Sequence, residues 1–319
     1  MISLVTPIFN EEPILPQLHQ EITAAFDSLP EAWEVVYVDD GSRDGSLAWL
    51  LGLQRSDPRV IVVELSRNWG HQPALTAGMA VARGDAVILM DGDLQDPPKL
   101  IPEFVSAWKL GADVVIGQRR SRGDSGVRKL IFPMFYRVFG LLADFPVPLN
   151  AGVFGLMDRR VVDTLLRLTE TNRYLPGLRS WVGFQTKFVY YDRAARAIGN
   201  SKQSLASLLK YALDAIFSFS YKPLRITLAM GVIIAIASFL AGLFLIVCRI
   251  LNIGLFGAPV VYGYTSTLAL VLFLAGVQLT SIGILGEYLG RIYDEVKRRP
   301  LFVIKKIHGS GEGAASASQ

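Results

Sequence analysis

The stretch AVILMDGDLQDPP, residues 86–98, places a continuous apolar run directly before three carboxylates and an amide. An apolar run without alternation predicts a strand that is buried on both faces, as in a parallel sheet covered by helices. Asp91, Asp93, Gln95 and Asp96 then fall where that strand ends. Asp, Gly and Pro are also ordinary turn residues, so a surface turn is one explanation of the cluster.

The same arrangement recurs through the first part of the chain. Four further short, β-branched runs predict strands at 2–6, 33–40, 60–65 and 113–117. Helix-length segments separate the runs, at 13–29, 45–55, 73–83 and 99–110. This alternation predicts an α/β domain with a doubly wound, mainly parallel sheet, in which ligands bind beyond the carboxyl ends of the strands. The polar clusters NEE, DDGSRDGS, SRNWGHQ and DGDLQD follow the first four strands, which indicates a site at that edge.

Several kinds of site are excluded by missing motifs. No G-x-G-x-x-G follows the first strand, and neither a G-x-x-x-x-G-K-[ST] loop nor a G-x-S-x-G elbow occurs. A histidine-based metal site is not expected, because the three histidines lack zinc-ligand spacing: His19, His71 and His308. Asp91 and Asp93 instead suit a hard divalent cation that also binds substrate phosphates. The turn explanation of this Asp-x-Asp pair stays open at this point.

A family resemblance rests on several motifs together. VTPIFNEE, VVYVDDGSRDGS, LSRNWGHQPALTAGMAVARGDAVILMDGDLQDPP, VVIGQRRSR and DRAARAIGNSK occur in the order and spacing of glycosyltransferase family 2. Across residues 2–300 the chain most resembles the polyisoprenyl-phosphate glycosyltransferase branch, which contains bacterial bactoprenol glucosyltransferases and relatives of dolichyl-phosphate mannose synthase. The resemblance implies a GT-A-type nucleotide-sugar domain with a Mg²⁺ or Mn²⁺ cofactor.

The resemblance also implies roles for individual residues. The nucleobase and ribose pocket would be lined by Pro7, Phe9, Glu11, Asp39 and Asp40. The metal would be held by Asp91, Asp93 and Gln95. Phosphate groups would be bound by Arg193, Arg196 and Lys202. The chain departs from the family pattern at Gln203, which replaces an aromatic residue, and at Val153 and Gly155, where relatives often have an acid and an arginine. Asp158 is the nearby acid, and we interpret it as structural.

Two amphipathic stretches indicate contact with a membrane surface. Residues 119–137 contain six basic residues against one acid, and apolar residues at helical spacing predict an interfacial helix at about 125–143. A core helix with a solvated face is the alternative. A second amphipathic stretch, 203–222, leads into the most apolar part of the chain.

Two membrane-spanning helices are predicted at about 226–250 and 264–287. The 23 uncharged residues 226–248 form about 34 Å of helix, enough to cross a bilayer core. Basic residues flank the outer ends of both spans, which places the catalytic domain 1–202 and the tail 291–319 in the cytoplasm. We expect that tail to be basic and then disordered, and the N-terminus does not read as a signal peptide. Small residues in the second span permit close helix packing, and we expect a homo-oligomer, a tetramer.

These features together predict an enzyme of the inner (plasma) membrane. The family resemblance implies transfer of a sugar, with glucose from UDP-glucose favoured, to polyprenyl (undecaprenyl) phosphate. Single displacement by the lipid phosphate would invert the anomeric carbon. Catalysis would rest on Asp91, Asp93, Arg119 and Arg128, which position and neutralise the phosphate groups. Mannose, an N-acetylhexosamine and a 4-amino-4-deoxyarabinose derivative are the alternative sugars. A processive polysaccharide synthase is less favoured because no Arg-Trp pair occurs, and a non-catalytic membrane module is the other rival. No nucleic-acid partner is expected.

Overall fold

The computed structural model describes residues 1–119, 151–171, 173–191, 222–250 and 264–309. The chain divides into two compact units. The first contains the N-terminal domain and the chain from Arg298 onward, and the second is formed mainly by Leu209–Lys297.

The first unit is built on a mixed sheet of eight described strands. They are β1 (Ile2–Ile8), β2 (Trp33–Asp39), β3 (Val60–Leu65), β4 (Ala86–Leu89), β5 (Val114–Arg119), β6 (Ala151–Asp158), β7 (Thr186–Tyr191) and β8 (Ile304–His308). Their order across the sheet is β7-β5-β6-β4-β1-β2-β3-β8. Only β6 and β8, among these eight, run antiparallel to their neighbours. The carboxyl ends of β1 to β5 and β7 therefore share one edge, which we call the catalytic edge.

Helices cover both faces of this sheet. The described helices of the unit are α1 (Leu15–Phe26), α2 (Ser46–Ser56), α3 (His71–Val81), α4 (Ile101–Lys109), α5 (Arg159–Arg167) and α6 (Leu175–Trp181). The main core lies where α1, α2 and α4 pack on the sheet, and α3 packs on the opposite face against β1 and β2. Phe26 stacks on Trp33 at 4.9 Å between ring centroids, and Phe104 contacts Phe154 at 4.8 Å. The predicted doubly wound α/β fold is confirmed.

Three strands were not predicted from the sequence. β6 lies between β4 and β5, so those two strands are not neighbours although they are consecutive in the predicted series. β7 extends the sheet beyond β5, in parallel. β8 pairs with β3 at the opposite end of the sheet.

β8 lies within the predicted tail 291–319, before the Gly/Ala/Ser run that was predicted to be disordered, and residues 310–319 of that run lie outside the described residues. Residues 304–308 form a strand in which Ile307 is 7% exposed, and Lys305 Nζ lies 2.5 Å from Glu64 Oε1. Ser66 N donates to Val303 O at 3.0 Å and continues the pairing beyond the strand. The sequence IKKIH lacks the apolar run of a buried strand because β8 lies at the end of the described sheet, where charged residues such as lysine are common.

The second unit contains two long helices. They are α7 (Lys222–Ile250) and α8 (Tyr264–Lys297), of 29 and 34 residues. Within the described residues, the part of α8 from Phe273 to Lys297 is long and apolar enough to cross a bilayer, and α7 has a shorter apolar stretch at Leu224–Leu240. α8 continues ten residues past its predicted end at 287, through part of the segment assigned to the tail. The predicted interfacial helix at 125–143 and the amphipathic stretch 203–222 lie outside the described residues, apart from Lys222.

Candidate active site

Backbone-to-side-chain hydrogen bonds join the loops after β1 and β2. The side-chain oxygen of Asn10 accepts a hydrogen bond from Arg43 N at 2.8 Å, and Asn10 N donates one to Ser42 Oγ at 3.1 Å. Asn10 has a left-handed backbone conformation, with a φ of 56°. Gly45 N donates to Glu12 Oε2 at 2.8 Å. The polar residues of NEE and GSRDGS thus hold two loops against each other. Glu12 has a structural role that the sequence pattern alone did not reveal.

Asp39 and Asp40 are almost fully buried at the end of β2. Asp39 accepts from Ser42 N at 3.3 and 3.4 Å, while Asp40 accepts from Trp69 N at 2.7 Å and Gly70 N at 2.9 Å. Burial raises the pKa of both carboxyls, and these hydrogen bonds offset part of the rise. Both oxygens of Asp40 therefore anchor the loop after β3, which explains how two adjacent acids are tolerated here.

Gly41 allows those loops to approach. Its φ is 72°, and a Cβ at this position would lie 2.7 Å from the backbone of Arg67 and Asn68. Any side chain would separate the loop after β2 from the loop after β3. The glycine of DDGS is therefore required by close packing as well as by its left-handed backbone.

The predicted donor-pocket residues near β1 are Pro7, which is in the strand, and Phe9 and Glu11, which follow its end. Ile8, between Pro7 and Phe9, is the register partner of Asp39 in β2. Phe9 is 43% exposed, and Glu11 is half-buried. The fold brings Pro7, Phe9, Glu11 and Asp39 to one part of the catalytic edge. Their role in binding a nucleotide stays a prediction.

The predicted metal ligands follow β4 in a tight turn. Asp93 Oδ1 accepts from Gln95 N at 3.1 Å, and Leu94 between them has a φ of 56°. The turn explanation of this cluster is therefore correct in part. The Asp91 side chain is 28% exposed, so its oxygens are not sealed from a ligand. Within the described ranges, no three His, Cys, Asp or Glu side chains form a ready-made metal cage.

His71 is a site residue that the sequence analysis missed. It is the first residue of α3, and its Nε2 lies 2.7 Å from Asp91 Oδ1. Burial by itself would lower the pKa of His71, but the carboxylates of Asp91, Asp40 and Asp93 outweigh it and raise that pKa. Its place in the chain could have identified it, because the helix that follows β3 must begin at the catalytic edge, and His71 comes close to the predicted start of that helix.

Arg119 is brought to the same edge by β5. Its Nε donates to Tyr191 Oη at 3.2 Å, and its Nη2 lies 3.5 Å from Asp96 Oδ1. Burial opposes the charge of this guanidinium, but Tyr191, Asp96 and Asp91 together raise its pKa. Arg119 therefore stays charged beside the acidic turn. The other predicted basic residues lie outside the described residues: Arg128, Arg193, Arg196 and Lys202.

Two of the three positions that depart from the family pattern lie inside the sheet, and the third, Gln203, lies outside the described residues. Val153 and Gly155 belong to β6, and Val153 is 7% exposed. A Cβ at Gly155 would lie 2.3 Å from Val115 O, so β6 approaches β5 too closely there for a side chain. Asp158 accepts from Arg160 N at 3.0 Å and from Trp108 Nε1 at 2.9 Å. These contacts cap α5 and agree with its interpretation as structural.

Comparison with known proteins gives two family matches and relatives along nearly the whole chain. Residues 3–166 match the family model "Glycosyl transferase family 2", and residues 222–292 match "GtrB C-terminal hairpin". An uncharacterized glycosyltransferase of Synechocystis is 42% identical over 97% of this chain and 96% of its own. A prophage-derived bactoprenol glucosyl transferase of Shigella flexneri is 42% identical over 96% and 98%. A prophage bactoprenol glucosyl transferase homolog of Escherichia coli is 39% identical over 96% and 99%.

One solved structure that matches the backbone of this chain is the mannosyltransferase PcManGT from Pyrobaculum calidifontis in complex with GDP-Man and Mn²⁺. It has a TM-score of 0.47 at 16% identity, covering 90% of this chain and 86% of its own. The family model spans residues 3–166, and the relatives extend the match across both units. The chain belongs to glycosyltransferase family 2, in the branch that carries the GtrB C-terminal hairpin, as its motifs predicted.

Proposed function

We propose that this glycosyltransferase moves glucose from UDP-glucose to a polyprenyl phosphate, with undecaprenyl phosphate as the physiological acceptor. The proposal is carried by the convergence of Asp91, Asp93 and Arg119 at one edge of the sheet. Carboxylates such as Asp91 and Asp93 can hold a divalent cation, and the neighbouring Arg119 is mostly buried and charged. A cation and an arginine at one site can together bind the phosphate groups of a substrate. The relatives named as bactoprenol glucosyl transferases support the choice of sugar and acceptor.

The donor nucleotide is assigned to the part of the edge formed by β1 and β2. Phe9 offers an exposed aromatic surface against which a nucleobase can stack. Asp39 and Glu11 offer carboxylates for base or ribose hydroxyl groups, and Pro7 lies near the end of β1, which pairs with β2. Asp40 contributes indirectly here, because its oxygens already hold the loop after β3.

Asp91, Asp93 and Gln95 fit a magnesium or manganese ion. All three would supply oxygen atoms from one short turn, and the Asp91 side chain is 28% exposed. The donor's phosphate oxygens would complete the oxygen ligands that such an ion prefers. A bound ion would neutralise charge on the departing diphosphate. His71 holds one oxygen of Asp91 by a 2.7 Å hydrogen bond, which orients that carboxylate.

The reaction is a single displacement at the sugar's anomeric carbon. An oxygen of the lipid phosphate attacks C1, the bond from C1 to the diphosphate oxygen breaks, and UDP leaves with that electron pair. A phosphate monoester is largely dianionic at pH 7, so no protein base has to remove a proton. Arg119 and Arg128 would hold the acceptor, and Arg193, Arg196 and Lys202 would share the phosphate groups of both substrates. Attack opposite the leaving group inverts the anomeric centre.

We place the protein in the inner membrane with both ends of the hairpin cytoplasmic. The basic residues Lys222 and Arg225 precede the first span, and Arg291 and Lys297 follow the apolar part of the second. A Cys248→Ala background allows single cysteines at Ala24, which is exposed on α1, and at Ala258 to be compared in intact cells. An impermeant thiol reagent should label the cysteine at 258 and leave the one at 24 unlabelled until lysis. Labelling of position 24 without lysis would overturn this orientation.

The reaction is tested by incubating the purified full-length protein with undecaprenyl phosphate and, separately, UDP-glucose, GDP-mannose and UDP-N-acetylglucosamine. Mass analysis should show a hexosyl lipid phosphate from UDP-glucose, and NMR of the product should show the inverted anomer. Asp93→Asn protein, prepared in the same way, is the matched control for a contaminating activity. A product from another donor alone would replace glucose by that sugar. Sugar transfer to water or to a growing polymer, with no lipid product, would refute the proposal.

A further inference from the structure

The fourth polar side chain of the DGDLQD cluster, Asp96, has no place in the donor or metal site described above. Its side chain is 1% exposed, so its charge is almost fully removed from water. A buried carboxylate is costly unless it is paired and hydrogen-bonded. The contacts of Asp96 therefore indicate why the fold retains an acid at this position.

Asp96 contacts two residues from the far half of the sheet. Tyr191 Oη donates to Asp96 Oδ1 at 2.5 Å, and Arg119 Nη2 lies 3.5 Å from the same oxygen. Arg119 Nε in turn donates to Tyr191 Oη at 3.2 Å. The phenol thus receives a hydrogen bond from the arginine and passes one to the carboxylate. The three side chains close a ring of contacts that we call the Asp96 triad.

The backbone places the triad at the ends of two paired strands. Arg119 and Tyr191 are register partners, and each is the last residue of its strand, β5 or β7. The Phe154 ring packs edge-on against Tyr191 with 5.7 Å between centroids. Tyr191 is held from one side by the core and from the other by hydrogen bonds, so its hydroxyl is fixed in position.

The protonation states agree with this direction of hydrogen bonding. Burial, with the charge of Asp96, raises the pKa of Tyr191 far above neutral, so the phenol keeps its proton and donates it to the carboxylate. Arg119 stays charged, and its side chain is 15% exposed. A guanidinium has five N–H groups in a fixed plane, so fixing Nε and one terminal nitrogen also fixes the direction of the rest.

We propose that Asp96 and Tyr191 are positioning residues, which hold the Arg119 guanidinium in the orientation that binds a substrate phosphate. This inference rests on the proposed function to the extent that Arg119 contacts a phosphate. Tyr191 also directly precedes the segment that carries Arg193, Arg196 and Lys202.

The decisive experiment is a double-mutant cycle between Tyr191→Phe and Arg119→Ala. Tyr191→Phe deletes the hydroxyl alone and leaves the ring packed on Phe154. We expect it to lower kcat/KM for sugar transfer roughly ten-fold, the loss of one hydrogen bond to a charged group. In the Arg119→Ala background, the same change should lower kcat/KM by less than two-fold. Asp96→Asn should behave like Tyr191→Phe, since it removes the charge and keeps the shape.

A matched control is Tyr190→Phe, on the neighbouring residue of β7. Tyr190 is 55% exposed, and its hydroxyl should be dispensable. Thermal unfolding of each variant separates loss of fold from loss of activity, and Mn²⁺-dependent binding of UDP provides a readout that does not require turnover. Tyr191→Phe should leave the unfolding midpoint within a few degrees of the unchanged protein.

The outcomes separate this inference from the proposed function. If Tyr191→Phe and Arg119→Ala reduce kcat/KM independently, with effects that multiply, the triad is structural and the positioning inference is wrong. If Tyr191→Phe has no effect while Arg119→Ala does, the inference is also wrong, and the phosphate role of Arg119 stands. If Arg119→Ala transfers sugar normally, Arg119 binds no phosphate, and both the inference and that part of the proposed function fail together.

Discussion

Replacement of His71 tests whether the contact with Asp91 orients a metal ligand. His71→Ala removes the 2.7 Å hydrogen bond from Nε2 to Asp91 Oδ1, and with it one constraint on the orientation of that carboxylate. The His71 and Asp91 side chains are 44% and 28% exposed, so solvent screening reduces the strength of the contact. We therefore take the low end for a hydrogen bond to a charged group, about 1.4 kcal/mol, which is roughly ten-fold in affinity.

Two physical effects oppose each other at this position, and their magnitudes decide the sign. A positively charged imidazole would repel a divalent cation, so its removal would tighten metal binding. A neutral imidazole still donates Nε2–H to Asp91 and orients it without repulsion. Loss of residues that orient metal ligands typically costs ten- to a hundred-fold in affinity, on the order of 1.4–3 kcal/mol. We expect orientation to dominate, because a bound cation favours the neutral form of the ring.

The assay is Mn²⁺ affinity in the presence of UDP, followed by the electron paramagnetic resonance signal of free Mn²⁺. His71→Ala should weaken Mn²⁺ binding by about ten-fold, and His71→Gln, which keeps a donor, should recover part of it. His19→Gln is the matched control, since His19 lies against Tyr37 and Asp57, away from the catalytic edge. Unchanged Mn²⁺ affinity in His71→Ala would refute the orienting role. Tighter binding would show that His71 acts as an opposing positive charge.

Three further expectations follow from the site and the sheet. Asp93→Asn should abolish most sugar transfer and weaken its dependence on Mg²⁺ or Mn²⁺ while leaving folding intact, and near-normal turnover with an unchanged metal response would remove Asp93 from the metal site. Arg128→Ala and Lys202→Ala should each raise the KM for one phosphate-containing substrate by roughly ten-fold, the loss of one charged hydrogen bond. Steady-state kinetics in which both substrate concentrations are varied will show which substrate is affected. An unchanged KM for both substrates in both variants would mean that the basic cluster is only a membrane-facing charge patch. Ile307→Ala should destabilise the first unit by about 2 kcal/mol or more, because the Ile307 side chain is 7% exposed. Lys306→Ala, at a solvent-facing position of the same strand, should leave the stability unchanged. Equal unfolding midpoints for the two variants would show that β8 adds little to the stability of the sheet.

Local sequence patterns were sufficient to predict the first half of the sheet and the position of the site. β1 to β4 are buried on both faces, so each reads as a mainly apolar run without strict alternation and was placed to within about two residues of the structure. A strand's carboxyl end is a local property, so the polar clusters beyond these strands could be assigned to one edge without knowledge of any contact. The family motifs indicated the branch, and the long uncharged stretches predicted the hairpin; the family matches confirm both.

Which side chains meet at that edge depends on contacts between distant parts of the chain, which local patterns do not encode. β6 contains two glycines, β7 lies at a sheet edge and β8 contains two lysines, so none of the three carries the strong local signal of a buried strand. The contacts that define the site join residues far apart in the chain, such as Tyr191 with Asp96, 95 residues apart, and His71 with Asp91. Such pairs depend on strand order and on the antiparallel insertion of β6, neither of which is encoded in local periodicity. A sequence pattern identifies chemical groups at the end of a strand, whereas packing across the sheet selects the partner that orients each group.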